Sequence, residues 1–173
     1  MLFQDICKIL TDAESMGYML QGFRNTLLLT FAAAAIGLVL GFTVAIVKIS
    51  AQVNKYMKIP ALLCNIYTTV FRGTPVALQL FIMVFAVFAI PGFKPYAAIL
   101  TFGINSGAYM AELMRSGIGA VDPGQMEAGR SLGMSRLQAT VKVVLPQAMK
   151  NILPAIGNEM IALLKETAVA GYV

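Results

Sequence analysis

A few polar and ionisable residues placed inside long apolar segments are the side chains most able to do chemistry in this sequence. Glu159 and Asn158 lie near the middle of one segment, Asn105 lies in another, and Arg72 interrupts a third. Ionised groups are costly beside lipid, so they face a protein interior or a water-filled cavity. We interpret these residues as candidates for contacting a polar solute, with Glu159 and Asn158 at its side-chain or amino end and either Arg72 or freed backbone amides at its carboxylate. The alternative is that they form bonds between helices.

Helical periodicity extends these candidates into two polar stripes. The stripe of Glu159 contains Asn151, Ala155, Asn158, Ala162, Lys165 and Glu166, and the stripe of Asn105 contains Thr101, Ala108, Glu112 and Arg115. The two stripes are predicted to line one cavity. Glu112 and Arg115, at the end of their stripe, are interpreted as a structural pair.

Absent residue types exclude most enzyme classes. The sequence has no histidine, so it has no His-based nucleophile pair, no HExxH zinc helix and no imidazole proton relay. It also has no P-loop motif for nucleotide phosphates. We therefore predict no catalytic residue, no metal site and no cofactor bound by this chain, and an enzyme acting within the membrane is disfavoured.

Composition and apolar runs predict an all-α, polytopic membrane helix bundle. Only 12% of the residues are charged and mean hydropathy is +0.77, whereas an average globular domain is about a quarter charged. Four spans are predicted, at about Asn25–Ile49, Ile59–Ile90, Tyr96–Met114 and Gln147–Tyr172. Gly37 and Gly41 predict close approach of a neighbour to the first span. Pro75 predicts a kink or break in the second.

Basic residues indicate the orientation of these spans. The loops at 48–58 and 115–150 contain Lys48, Lys55, Lys58, Arg115, Arg130, Arg136, Lys142 and Lys150, whereas the other side contains Lys8, Arg24 and Lys94. The positive-inside rule then places both loops in the cytoplasm and the N-terminus outside. We predict a single membrane domain over 1–173, with an outer segment at 1–24 and a cytoplasmic loop at 115–146. Because topology explains the net charge of +5, nucleic acid is not a predicted partner.

The segment from 122 to 146 predicts two short helices joined by a turn. Asp122 and Pro123 are predicted to begin the first helix, with Gln125 reaching back as a capping box, and Gly133 to end it. Ser135 with Gln138 is predicted to form a second capping box at the start of the second helix. Ala128 and Leu132 share one face of the first helix, and Glu127 and Arg130 are spaced to pair. Because so short a helix is marginal alone, it is predicted to dock onto a partner.

This segment resembles the EAA loop of ABC importer permeases. The matching residues are Glu127-Ala128-Gly129, then Gly133 after three residues, then Val143-Val144-Leu145-Pro146 after nine, with Gly129 and Val143 departing from the usual Ala and Ile. Other stretches resemble the polar amino-acid uptake branch of that family, namely Phe71-Arg72-Gly73-Thr74-Pro75, Ala108-Tyr109-Met110-Ala111-Glu112 with Arg115, Gly124-Gln125, Leu145-Pro146-Gln147-Ala148 and Leu164-Lys165-Glu166-Thr167. The resemblance covers about residues 22–173.

The resemblance implies a membrane-spanning subunit of an ATP-driven importer for a polar amino acid, with a cationic one such as arginine as a candidate. The implied partners are a cytoplasmic ATPase dimer that binds ATP and Mg²⁺, an identical or homologous second permease, an external amino-acid-binding protein and membrane lipid. The implied location is a prokaryotic-type cell membrane, which the chain crosses several times. Glu127, Ala128, Gly129, Leu132 and Gly133 would couple the permease to the ATPase. Relatives with this orientation usually have five spans, so the last helix is expected to be missing.

Two alternatives remain open at this stage. The chain could be a subunit of a secondary transporter or channel driven by an ion gradient, which also uses broken helices and charges within the membrane. The capped cytoplasmic hairpin argues against that reading. The hairpin could also serve only to orient the spans.

Overall fold

The computed structural model describes residues 12–52, 54–90 and 92–172, and these ranges are helical almost throughout, without strands. The helices are α1 (Ala13–Ser50), α2 (Lys58–Gly73), α3 (Val76–Ile82), α4 (Lys94–Gly119), α5 (Pro123–Ser131), α6 (Arg136–Ala139) and α7 (Leu145–Glu166). Turns of 3-10 helix occupy Lys55–Met57 and Thr167–Tyr172, and π-helical turns occupy Met83–Val87 and Thr140–Val144. The all-α prediction is confirmed.

The first helix is longer than the sequence suggested. It begins at Ala13 rather than Asn25. The outer location of residues 1–24 stays a prediction, and residues 1–11 lie outside the described ranges. Asp12 caps the helix, accepting hydrogen bonds from the Ser15 amide at 2.9 Å and the Ser15 hydroxyl at 2.7 Å. These bonds hold the pKa of the Asp12 carboxyl below its usual value. The cap explains why the helix starts well before the apolar run.

Length and apolar composition together identify fewer membrane-crossing helices than predicted. Among the described residues, α1 alone is long and apolar enough by itself, and the bent pair Lys55–Gly73 and Val76–Val87 counts as a second if it forms one span. Helices α4 and α7 are long enough, but they carry charges such as Glu112 and Glu159. The count of four spans therefore stays a prediction.

The break predicted in the second apolar region is confirmed. Helix α2 ends at Gly73, α3 begins at Val76, and the helices on the two sides of the break form an angle of 105°. Pro75 has no amide hydrogen to continue the ladder of α2, and the residue before a proline is disfavoured in helical geometry. Thr74 accordingly adopts an extended conformation, with φ −116° and ψ 144°.

The capped hairpin between α4 and α7 is also present. Asp122 accepts from the Gly124 amide at 2.8 Å, Gly133 has φ +82°, and Ser135 and Gln138 form a reciprocal capping box. The predicted capping box at the first helix is wrong, because the side-chain oxygen of Gln125 instead accepts from the side-chain amide of Gln147 at 3.1 Å. No ion pair joins Glu127 and Arg130, both of which are exposed.

Helix α4 occupies the centre of the bundle, where it packs against α1, α2, α3 and α7. Its closest neighbour is α1, and four glycines make that approach possible: Gly37 and Gly41 on α1, and Gly103 and Gly107 on α4. A Cβ atom on Gly41 would lie 2.7 Å from the Met110 Cβ, and one on Gly103 would lie 2.8 Å from the Ile36 Cγ2. The close packing predicted for Gly37 and Gly41 is confirmed, whereas the two glycines of α4 were not predicted to take part in it.

Candidate functional site

The break between α2 and α3 is held by two buried amide side chains. The Gln79 amide donates to the carbonyl oxygens of Phe71, at 2.8 Å, and Thr74, at 3.1 Å. Asn105 of α4 donates to the same Phe71 oxygen at 3.1 Å and to the Gln79 side-chain oxygen at 3.0 Å. Asn105 and Gln79 are only 3% and 8% exposed. They therefore supply the hydrogen bonds that the backbone of the broken helix lacks.

Sequence reasoning selected Asn105 but missed Gln79. A signal was available, because Gln79 is the one polar residue in the apolar stretch at 76–90 and it follows Pro75 by four residues. A buried amide one turn after a helix break is well placed to satisfy the freed carbonyl groups. Asn105 consequently has a structural role in the described conformation.

Arg72 lies at the break and is exposed. Its guanidinium stands over the ring of Tyr109 on α4, 5.2 Å from the ring centre, a cation–π contact. The structure shows no salt bridge between Arg72 and any described carboxylate. The guanidinium is thus oriented by the aromatic ring while its hydrogen-bond donors remain available to a ligand.

Glu159 faces α4 from the middle of α7. Its carboxylate accepts a hydrogen bond from the Ser106 hydroxyl at 3.1 Å and lies within electrostatic range of Arg72 and Glu166. Asn158, by contrast, is exposed and forms no hydrogen bond within the described part of the chain. Three of the four candidates therefore lie at one part of α4. Asn105 belongs to α4 itself, Arg72 contacts its Tyr109, and Glu159 bonds its Ser106. Asn158 makes no such contact.

A groove of about 760 Å³ lies between α2 and α4, and of the four predicted pathway residues Arg72 is the one that lines it. Most of its lining is polar and includes Asn65, Thr68, Thr69, Arg72, Tyr109 and Glu112, and Lys48 of α1 also contributes. We call this cavity the polar groove. Its lining contains three cationic side chains and one carboxylate, an arrangement that can accommodate a polar solute bearing a carboxylate.

Glu112 and Arg115 form the predicted pair, with 2.8 Å between Arg115 Nε and Glu112 Oε2. The prediction missed a third member, because the ammonium of Lys48 also contacts Glu112. Sequence reasoning had used Lys48 only as a marker of orientation. No group of three or more His, Cys, Asp or Glu side chains that could hold a metal occurs among the described residues.

The hairpin residues selected from the EAA pattern divide into outward and inward ones. Glu127 and Ala128 are exposed, and Leu132 is 80% exposed, so these residues can contact a partner. Gly129 is instead buried, and a Cβ atom there would lie 3.1 Å from the Cβ of Ala139 on α6. Gly133 supplies the left-handed turn between the two helices. Gly129 thus lies where α5 packs on α6, not on the outward face.

Residues 37–173 match the family described as "Binding-protein-dependent transport system inner membrane component". The chain belongs to this family. It is 41% identical over 155 residues to the putative glutamine transport system permease protein GlnP of Rickettsia conorii, over 88% of this chain and 69% of that protein. It is also 41% identical over 155 residues to the arginine transport system permease protein ArtQ of Bacillus subtilis, over 88% and 68% respectively.

Chains of solved transporter structures have folds similar to this inner membrane component. A chain from the crystal structure of an amino acid ABC transporter with histidines is similar, with a TM-score of 0.78 and 42% identity over 94% of this chain and 76% of that chain. A chain of the MetNI methionine ABC transporter in an inward-facing conformation has a TM-score of 0.77 over 94% and 77%, but at 22% identity it shows the fold alone. The family resemblance seen in the EAA pattern is confirmed.

Proposed function

We propose that this chain is the membrane permease subunit of an ATP-driven importer for a polar amino acid that an external binding protein delivers. Family membership carries this proposal, together with relatives whose names specify glutamine and arginine transport. The permease is not itself an enzyme, because ATP hydrolysis in these importers belongs to a separate subunit. Membership of a binding-protein-dependent transport family also disfavours a transporter driven by an ion gradient.

We assign the substrate pathway to Arg72, Asn105, Asn158 and Glu159. The clustering of three of them around α4 supports the assignment, and the polar groove offers space for a small solute beside Arg72. A cationic amino acid is the first candidate substrate, since the Glu159 carboxylate favours a cation and Arg72 favours a carboxylate. Asn158, which is exposed on α7, would join them only with substrate bound.

Four spans with the N-terminus outside remain our proposed topology. At 1.5 Å per residue, α4 and α7 are about 39 and 33 Å long, which exceeds the roughly 30 Å of hydrocarbon in a bilayer. The charged residues of α4 lie near its end or in contact with Lys48, so they need not face lipid. The chain would form one multi-pass domain in a prokaryotic-type membrane, with the hairpin in the cytoplasm.

The exposed side of the hairpin is proposed to contact the ATPase. Leu132 and Leu137 are 80% and 74% exposed there, and we infer that together with the exposed Glu127 they form an apolar patch with a charged edge. Such a patch on an otherwise polar loop is typical of a protein interface. A second permease, identical or homologous, would complete the pathway, and ATP with Mg²⁺ would bind to the ATPase dimer, with no cofactor on this chain.

Reconstitution in liposomes tests this function. The chain is combined with its ATPase and binding protein, and uptake of a panel of polar amino acids is measured with and without ATP. The Glu127→Lys and Gly133→Ala variants should reduce copurification of the ATPase, whereas Glu14→Lys, an exposed acid at the start of α1, should not. Uptake driven by an ion gradient without ATP would instead support the secondary transporter.

A further inference from the structure

One cation joins three helices beside the polar groove. The ammonium of Lys48, near the end of α1, donates to a carboxylate oxygen of Glu112 on α4 and to the Thr68 hydroxyl on α2, the latter at 2.8 Å. The side chains of Lys48 and Glu112 are only 7% and 15% exposed. We call these three residues the Lys48 bridge.

Helix α2 depends on polar contacts of this kind because little of it is buried. Only Ala61 and Thr68 are buried along its 16 residues. Besides the Lys48 bridge, two hydrogen bonds join it to α4: the Tyr67 hydroxyl donates to the Ile104 carbonyl, and the Asn105 amide donates to the Phe71 carbonyl. Arg72 adds the contact with Tyr109. A helix held by few polar contacts can separate from its neighbours when one of them is lost.

The Lys48 bridge also lies close to the hairpin, which is the proposed contact with the ATPase. Glu112 precedes the end of α4 at Gly119 by about two helical turns, and the hairpin helix α5 begins at Pro123. A displacement of the hairpin therefore reaches the end of α4 that carries Glu112. Thr68 and Glu112 both line the polar groove, so any separation at the bridge changes the width of that groove.

We propose that Lys48 is a positioning residue for transport, which holds α2 against α4 and keeps the polar groove narrow until movement of the hairpin shifts α4, together with Lys48 of α1, away from Thr68 on α2. This inference rests on the proposed function. Arg115 stays bonded to Glu112 when Lys48 is removed, so loss of the lysine does not leave the carboxylate without a partner. Substitution at Lys48 should therefore loosen α2 and leave the rest of the bundle folded.

Reagent access to a groove residue tests the bridge in the assembled transporter. Ala61 lines the polar groove and is 7% exposed, so a cysteine there reports separation of α2. With Cys7 and Cys64 replaced by serine, labelling of Ala61→Cys by a membrane-impermeant maleimide is measured in inside-out vesicles. We expect Lys48→Met to raise the labelling rate about tenfold, the factor expected from losing a charge-assisted hydrogen bond, and to lower amino acid uptake per ATP hydrolysed.

Matched variants separate the bridge from a general loss of charge. Lys55→Met removes an exposed lysine seven residues away and should label at the parental rate. Thr68→Val keeps the side-chain volume but removes the hydroxyl that accepts from Lys48, so it should raise the labelling rate by a smaller factor than Lys48→Met does. Lys48→Arg, which retains a cation, should restore most of the parental behaviour.

The outcomes distinguish failure of the Lys48 bridge from failure of the proposed function. Parental labelling and parental uptake per ATP in Lys48→Met would overturn the role of Lys48. If that variant fails to assemble, parental labelling in Thr68→Val would overturn it equally. Absence of ATP-driven amino acid uptake by the unmodified transporter would instead contradict the proposed function, while the labelling rates would still report whether the bridge holds α2.

Discussion

The two faces of α4 form interfaces of opposite character. Towards α1, Gly107 lies against Gly37 and Gly41, and Gly103 lies against Ile36. A Cβ added to any of these four glycines would fall 2.7 to 3.1 Å from an atom of the other helix. Towards α2 and α3, α4 presents Asn105, Tyr109 and Glu112, and the groove lies beside them. One interface is closed by atomic contact and the other by individual polar bonds.

This contrast indicates which half of the bundle can move. Close packing of small residues depends on many short contacts that are lost together, so α1 and α4 should behave as one rigid unit. Hydrogen bonds can be exchanged one at a time for bonds to water or to a solute. The α2–α3 half is therefore the half suited to conformational change during transport.

Overpacking the α1–α4 interface should give the largest effect. In Gly41→Ala, the new Cβ would lie 2.7 Å from the Met110 Cβ and 3.0 Å from the Ala111 amide nitrogen, so the helices must separate. We expect a loss of about 3 kcal/mol in the free energy of unfolding, the upper range for overpacking. Thermal unfolding of the purified protein in detergent would measure it.

Gly22→Ala is the matched control, because nothing lies within 4 Å of a Cβ at that position of α1. It should be neutral or stabilising by up to about 1 kcal/mol, since alanine favours helix more than glycine does. Equal unfolding temperatures for the two variants would show that the α1–α4 interface is not closely packed.

The polar half should be disturbed less by loss of one bond. Asn105→Leu removes the donor to Gln79 and Phe71, but Phe71 keeps its bond from the Gln79 amide. One buried acceptor loses its partner, which costs about 2 kcal/mol. The unfolding temperature should fall by less than in Gly41→Ala, and Asn151→Leu, an exposed amide on α7, should leave it unchanged. A larger fall than in Gly41→Ala would reverse the comparison.

The sequence predicted local features of the backbone better than contacts between residues that are distant in the chain. Pro75 and Gly133 act through the backbone of their own segment, so the break and the left-handed turn were accessible from composition and spacing. Gln79 and Lys48 act through residues that are distant in the chain, Asn105 and Glu112, and periodicity carries no information on such pairs. Gly129 shows the same difficulty, since only the packing of α6 reveals that it faces inward.

The smallest effect on stability, and the most selective effect on function, is expected for Glu159→Gln. Glutamine keeps the size and can still accept the Ser106 hydrogen bond, so the unfolding temperature and ATPase copurification should match the parent protein. The charge that favours a cationic substrate is lost, and uptake of arginine should fall about tenfold, equivalent to about 1.4 kcal/mol. Uptake of free glutamine serves as the internal reference, because the neutral side chain of this substrate does not need the Glu159 carboxylate. Equal loss of arginine and glutamine uptake would mean that Glu159 supports the bundle through Ser106. Unchanged arginine uptake would remove Glu159 from the pathway and leave the polar face of α4 as a purely structural surface.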